Sequence, residues 1–290
     1  MVLTMTSSSS TSRSTRTWFV TGASSGIGLA LSRAAAGRGD TVVAVARRAH
    51  NLETLTREFG NRVLVRAADV TDQAQLDQAV AAAVEKFGRI DVVANLAGYG
   101  LFGAVEEATD EQARSIFGTN VHGVLNVLRA TLPVLRAQGS GHVLQGSSYY
   151  GQTAHPGVGL LAATKYAVEG LSDALVGELA PLGIHVTLVE PGYTATAFLD
   201  NLDVAPAIGA YDGTVREVQK ALGALPSSAF NSAERVADAV LAAVDAENPP
   251  RRLATGAHAV REMRAALTTR LAELDSWAPV SESVDQLVVA

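Results

Sequence analysis

The chain of 290 residues contains no cysteine, which excludes disulfides and thiolate metal sites. Lysine is almost absent too: Lys86, Lys165 and Lys220 are the only three, the other fixed cations being arginines. No apolar run reaches the roughly 18 residues needed to cross a bilayer, so no membrane association is expected. An excess of cations is also lacking, with 23 Lys and Arg against 29 Asp and Glu and a net charge of −6. That balance argues against nucleic acid as a partner. The 6 histidines show no ligand spacing, and no metal is expected. Together these absences fit a cytoplasmic protein.

What is present is core-forming material. Hydrophobic residues make up 48% of the chain. Short Val-rich runs at 17–21, 41–46, 62–67, 90–95, 142–146 and 184–190 suit strands buried on both faces of a parallel sheet. Between them lie helical patterns such as 73–87, where Leu76, Val80 and Val84 recur at a spacing of four. This alternation predicts an α/β fold, a single-domain Rossmann-like doubly wound parallel sheet with helices on both faces. The domain is expected over 17–275. A Ser- and Thr-rich segment, 1–16, reads as a disordered tail rather than a secretory signal, and 276–290 as a C-terminal tail. Beyond Pro191 the regularity breaks. The irregular insert 194–230 is expected to hang over the carboxyl edge of the sheet as a substrate lid, followed by helices at 233–246 and 257–274 and a strand at 252–254.

The first run leads into Gly22-Ala23-Ser24-Ser25-Gly26-Ile27-Gly28 and then a helical stretch. Glycines let the backbone turn tightly and approach an anion, and a helix N-terminus offers free N–H groups and partial positive charge. A strand–glycine–helix passage of this kind is the recipe for a pyrophosphate site, here with the spacing G-x-x-x-G-x-G.

The segment TGASSGIG, with Asn95-Leu96-Ala97-Gly98, Asn120 in FGTNVHG, Ser148 in VLQGSSYYG, Lys165 in AATKYAVEG, and Pro191-Gly192 with Thr196 in EPGYTATAF, resembles the short-chain dehydrogenase/reductase family. The likeness spans about residues 16–260. It implies a nicotinamide cofactor contacted by Gly22, Ser24, Ser25, Gly26, Ile27, Gly28, Asn95, Ala97, Gly98, Lys165, Pro191, Gly192, Thr194 and Thr196, with Asp69 and Val70 flanking the adenine. At the end of the second strand stands Ala46 where an NAD-binding chain carries an acid, followed by Arg47 and Arg48. A guanidinium can grip the extra phosphate of NADP(H) where a carboxylate would repel it, and NADP(H) is the cofactor expected.

The resemblance also implies a catalytic set of Asn120, Ser148, a tyrosine and Lys165, the tyrosine four residues before the lysine and thirteen after the serine. At that position stands Leu161. Tyr166 is adjacent to Lys165, but one residue on a helix turns about 100° and points elsewhere. Losing a general acid costs about 10²–10⁴ in rate, so three outcomes stay open. Another group replaces the acid, with Tyr149, Tyr150, His155 and Tyr193 as candidates that otherwise line the pocket. The small-molecule substrate needs no acid, as with an imine, an iminium or an activated double bond. Or the scaffold has left redox chemistry for cyclisation, isomerisation, dehydration or mere cofactor binding. A homo-oligomer is also open, since the apolar faces of 111–135 and 158–182 can serve either a partner copy or the sheet.

Overall fold

The computed structural model describes residues 14–198 and 201–285. Strand β1 (Thr17–Thr21), helix α1 (Gly26–Gly37), β2 (Thr41–Ala46), α2 (Glu53–Phe59), β3 (Val63–Ala67) and α3 (Gln73–Phe87) form the first half. Then follow β4 (Val92–Asn95), the two-residue β5 (Leu101–Phe102), α4 (Asp110–Phe117), α5 (Gly123–Gln138), β6 (Gly141–Gly146), α6 (Gly159–Leu179) and β7 (Ile184–Pro191). The remainder holds β8 (Thr194–Ala195), β9 (Asp203–Val204), α7 (Glu217–Gly223), β10 (Asn231–Ser232), α8 (Ala233–Asp245), β11 (Arg252–Thr255) and α9 (Ala257–Glu282).

Seven strands make one parallel sheet in the order β3-β2-β1-β4-β6-β7-β11. The doubly wound α/β class expected from the sequence is the one observed. Its central strands are apolar because both faces are covered: Phe19, Val43, Val93 and Val143 pack toward α3, α5 and α6. Trp18, Val20, Val42 and Leu144 pack toward α1 and α8. A third apolar cluster at the carboxyl edge joins Phe102, Ile116, Tyr150, Leu161, Val215 and Met263.

Several boundaries move for local reasons. The expected strand 62–67 starts at Val63, because Gly60–Arg62 forms a tight 3-10 turn. The run 90–95 pairs only from Val92, while 142–146 begins one residue earlier at Gly141. The helix expected to stop at 274 continues to Glu282, through Pro279 and past the boundary drawn at 275. Most of the expected N-terminal tail lies outside the described residues. Arg16, however, is held by the fold, its backbone N donating to Asp40 Oδ1 at 3.0 Å. The insert carries β8, β9 and α7; β9 pairs with β5, and Val215 sits in the third cluster.

Asp40, fully buried at the α1–β2 turn, gathers the start of the sheet. Its Oδ2 accepts from Trp18 Nε1 at 2.9 Å and from Arg38 Nε at 2.8 Å. Removing one partner from a buried charged pair costs about 3–5 kcal/mol. Asp40→Ala is therefore expected to lower the urea-unfolding free energy by about that amount. A loss below about 1 kcal/mol, the scale of an exposed pair, would show that the network is not structural.

Candidate active site

Strand order reverses between β1 and β4, which opens a crevice at their carboxyl ends where doubly wound folds bind ligands. Thr21 Oγ1 ties the two strands by accepting from Leu96 N at 3.1 Å and Ala97 N at 3.2 Å. Gly22 follows with φ +67°, and a side chain there would press on the Leu96 carbonyl and Ala97 N at 3.0 Å. Gly28 lies so close to Gly22 O that no Cβ fits between α1 and the turn. Helices α3, α4 and α8 are capped by the side chains of Asp72, Thr109 and Ser232. Helix α1 is not: Ser25 makes no side-chain cap and the first turn holds no acid. An uncapped helix start directly after the glycine turn fits the pyrophosphate of a dinucleotide.

The other expected cofactor residues surround this turn unevenly. Thr196 reaches Gly26, where a Cβ would lie 3.1 Å from its methyl group. Thr194 Oγ1 bonds Gly192 O at 3.0 Å and shapes the loop after Pro191. Val70 is buried against Gly123, and Asp69 Oδ1 accepts from Thr71 N at 2.9 Å. Asn95 is buried, its Nδ2 donating to Val124 O at 3.2 Å, so its side chain fastens β4 to α5. Ala46 closes β2 without a carboxylate, and Arg47 beyond it is exposed. Burial, with the nearby charge of Asp203, raises the Tyr99 phenol above its ordinary range, against an opposing pull from Arg47.

The structure brings two of the four expected catalytic positions, Asn120 and Lys165, to one glycine. Lys165 Nζ donates to Gly146 O at 2.8 Å. Burial lowers its pKa to about 8, against the opposing pull of Glu169. A Cβ on Gly98 would lie 3.0 Å from Asn120 Oδ1 and 3.8 Å from Lys165 Nζ, so both groups close on the same glycine. Asn120 occupies a π-helical turn, Gly118–His122, between α4 and α5, a distortion frequent at functional sites. Its amide clamps the Tyr99 backbone, accepting from N at 3.1 Å and donating to O at 2.9 Å. Ser148 Oγ accepts from Tyr150 N at 3.2 Å.

Leu161 is one turn before Lys165 on α6 and only 3% exposed. It belongs to the apolar cluster with Tyr149, Tyr150, Val158 and Val215. The Tyr150 hydroxyl is hydrogen-bonded to His155 Nε2, and His155 Nδ1 lies 3.0 Å from Pro156 O. Burial pushes the phenols of Tyr149 and Tyr150 well above their ordinary range. Tyr193 stacks on His258 at 4.1 Å between ring centroids and meets the edge of Tyr149 at 5.8 Å.

Three groups here escaped the sequence reading. His258, from α9, completes the aromatic wall, and burial lowers its pKa. Glu107 fastens the insert: it accepts from Ala104 N at 2.7 Å and Ile208 N at 2.8 Å and pairs with Arg216. The Ile208 bond leads in holding its carboxyl below the usual range. Beneath Lys165 lies a buried pair of acids. Glu169 accepts from Ser147 Oγ at 2.5 Å and Arg252 Nε at 2.9 Å. Gln152 Nε2 bridges it at 3.0 Å to Glu190 at 3.1 Å. Only the Glu169 spacing, four residues after Lys165, was visible in the sequence.

Comparison with known proteins is consistent across sequence and structure. A family model described as short chain dehydrogenase matches residues 16–206. Oxidoreductase BOA17 of Botryotinia fuckeliana is 38% identical over 269 residues, 92% of this chain and 98% of its own. The crystal structure of a short-chain dehydrogenase from Streptomyces avermitilis aligns with TM-score 0.88 at 37% identity, covering 94% of this chain and 100% of that one. A short-chain dehydrogenase/reductase from Burkholderia phymatum in complex with NAD gives 0.75 at 26%, covering 86% and 92%.

The buried acids make a measurable pH effect. Burial, reinforced by Glu169, raises Glu190 from 4.5 to about 8. The folded state therefore keeps a proton that the unfolded state has released. Stability from this group is present at low pH and falls as pH rises from about 4.5 toward about 8. Glu190→Gln keeps the shape without the charge and is expected to flatten that part of the stability–pH curve in urea titrations. Parallel curves for variant and parent would refute the assignment.

Proposed function

Because the chain belongs to the short-chain dehydrogenase family and is an oxidoreductase of that type, we propose that it is an NADPH-dependent reductase of a small, largely apolar organic molecule. The bond reduced is an imine, an iminium or an activated double bond. What supports this reading is a buried leucine four residues before Lys165, with Lys165 bonded to Gly146 O, Asn120 to Thr164 and Ser148 to Tyr150 N. The non-redox alternative has no such support, since the relatives are oxidoreductases.

The bound cofactor supplies hydride. Lys165 spends one of its three N–H donors on Gly146 O, and the others suit the hydroxyls of the nicotinamide ribose. The Ser148 proton has only Pro191 O at 3.5 Å, too long to hold it firmly, so the hydroxyl is free to turn to a substrate nitrogen or oxygen. Leu161 and the cluster around it exclude water from the reacting carbon. Hydride addition to an iminium carbon leaves a neutral amine and calls for no proton donor. Where a proton is required, Tyr150 is the candidate donor, its backbone N–H held by Ser148 Oγ at 3.2 Å. Its hydroxyl is hydrogen-bonded to His155 Nε2.

The choice of NADPH rests on this chain's own residues, because the Burkholderia neighbour is in complex with NAD. Ala46 offers no acceptor for a ribose diol, and Arg47 is exposed beside it. NADPH is expected to bind at least about tenfold tighter than NADH by calorimetry, the yield of one charge-assisted contact. Arg47→Asp should invert the order, and equal affinities in the parent would sink the assignment.

The missing acid is tested by restoring it. Leu161→Tyr places a phenol one turn from the Lys165 ammonium, which should depress its pKa. The variant is expected to gain reduction of simple activated ketones by one to two orders of magnitude, within the about 10²–10⁴ a general acid supplies. Reduction of iminium probes should stay level or fall. If the parent already reduces such ketones equally fast, the acid-free reading fails. Loss of that activity in Tyr150→Phe would then identify the substitute donor.

A further inference from the structure

Helix α9 begins inside the domain and ends outside it. Ala259 and Met263 are buried in the third cluster, His258 stacks on Tyr193, and further along Arg270 meets Tyr166 of α6. Arg270 Nη2 donates to the Tyr166 hydroxyl at 3.0 Å, with the guanidinium 5.5 Å from the ring centroid. From residue 264 to 282 no side chain is buried. That is a helix of roughly 28 Å at 1.5 Å per residue without a core of its own. Leu267, Leu271, Leu274 and Trp277 are 49%, 59%, 62% and 61% exposed.

These residues share a side of the helix. At about 100° per residue, Val260, Leu267, Leu271 and Leu274 fall within a sector about 60° wide, and Trp277 lies about 60° beyond its edge. Met263 and Arg270, which touch the domain, lie on the Trp277 side of that stripe. The surface that docks α9 onto its own domain therefore continues past the domain edge with no described residue burying it. A helical segment of this length is marginal in water by itself, and packing of its apolar face is what ordinarily stabilises it. Its charges are sorted by position. Arg261, Arg264 and Arg270 lie toward the start, with Glu262 the one acid among them. From residue 273 onward come Glu273, Asp275, Glu282 and Asp285, with no basic residue.

We propose that the free half of α9 is a self-association arm, in which two copies of the chain pair these helices antiparallel around a two-fold axis. A two-fold axis sets one patch against its own copy. The antiparallel sense brings the basic start of each arm beside the acidic end of the other, where a parallel sense would oppose like charges. Leu267, Leu271, Leu274 and Trp277 then close a common apolar seam. The lack of a basic cluster on the polar face distinguishes this arm from a helix built for an anionic membrane surface.

The test is the solution mass of the full chain by light scattering over a concentration series. The parent is expected at no less than twice 30.1 kDa. The double variant Leu271→Glu/Leu274→Glu is expected at half the parent's mass, with helical circular dichroism and cofactor affinity close to parental. A parent that is monomeric at every concentration overturns the proposal, and binding of that monomer to vesicles would assign the stripe to lipid instead. A double variant that keeps the parent's mass overturns it equally, placing the contact between copies on another face. Orientation has its own readout: Asp275→Arg/Glu282→Arg should weaken association at least tenfold, and adding Arg261→Glu/Arg264→Glu should restore it. Failure of that rescue would refute the antiparallel pairing.

Discussion

The site depends on one face of α6. Leu161, Lys165, Glu169 and Asp173 follow each other at intervals of four, so each stands about one turn above the last. Each meets a different part of the fold. Leu161 enters the apolar cluster under the insert, Lys165 reaches the end of β6 at Gly146, and Glu169 takes the adjacent Ser147. Arg252 of β11 joins Glu169 and Asp173, at 2.9 and 2.7 Å. Helix α6 is thereby fastened across three neighbouring strands, and Ser148 and Tyr150 are set by the turn that the same contacts hold. A shift of α6 by one residue would break every one of them.

That arrangement explains how the site keeps its shape without the tyrosine. Lys165 is anchored by backbone and by the charge of Glu169, neither of which involves position 161. A pKa near 8 still leaves the ammonium mostly protonated at neutral pH, ready for a sugar hydroxyl. Leucine substitutes bulk for the ring and extends the apolar cluster to the reacting region.

The insert finishes the pocket through polar contacts rather than burial alone. Glu107 lies before α4, yet its carboxylate holds Ile208 and Arg216 of the insert. Val215, carried between them and α7, adds to the cluster that contains Leu161. The insert is thereby tied to the segment between β5 and α4. A cavity of about 290 Å³ lined by Arg16, Asp91, His142 and His185 opens at the opposite, amino edge and takes no part in this.

The sequence by itself determined whatever depends on neighbours in the chain. Val-rich runs define strands, the Gly22–Gly28 turn defines an uncapped helix start, and four-residue spacing puts Leu161 beside Lys165. These follow from backbone sterics and helical periodicity, which act over a few residues. Boundaries set by pairing partners were less legible: β7 gains Pro191 because β11 runs alongside it, and α9 continues to Glu282 although the pattern weakens after Leu274. Groups that act across long separations were decided by tertiary structure alone. Glu107 finds Arg216, Gln152 bridges Glu169 to Glu190, and His258 stacks on Tyr193, each pair joined only when distant elements pack. A carboxylate's neighbours in space, not in sequence, fix its burial and charge, because desolvation and Coulomb forces depend on distance through the folded interior.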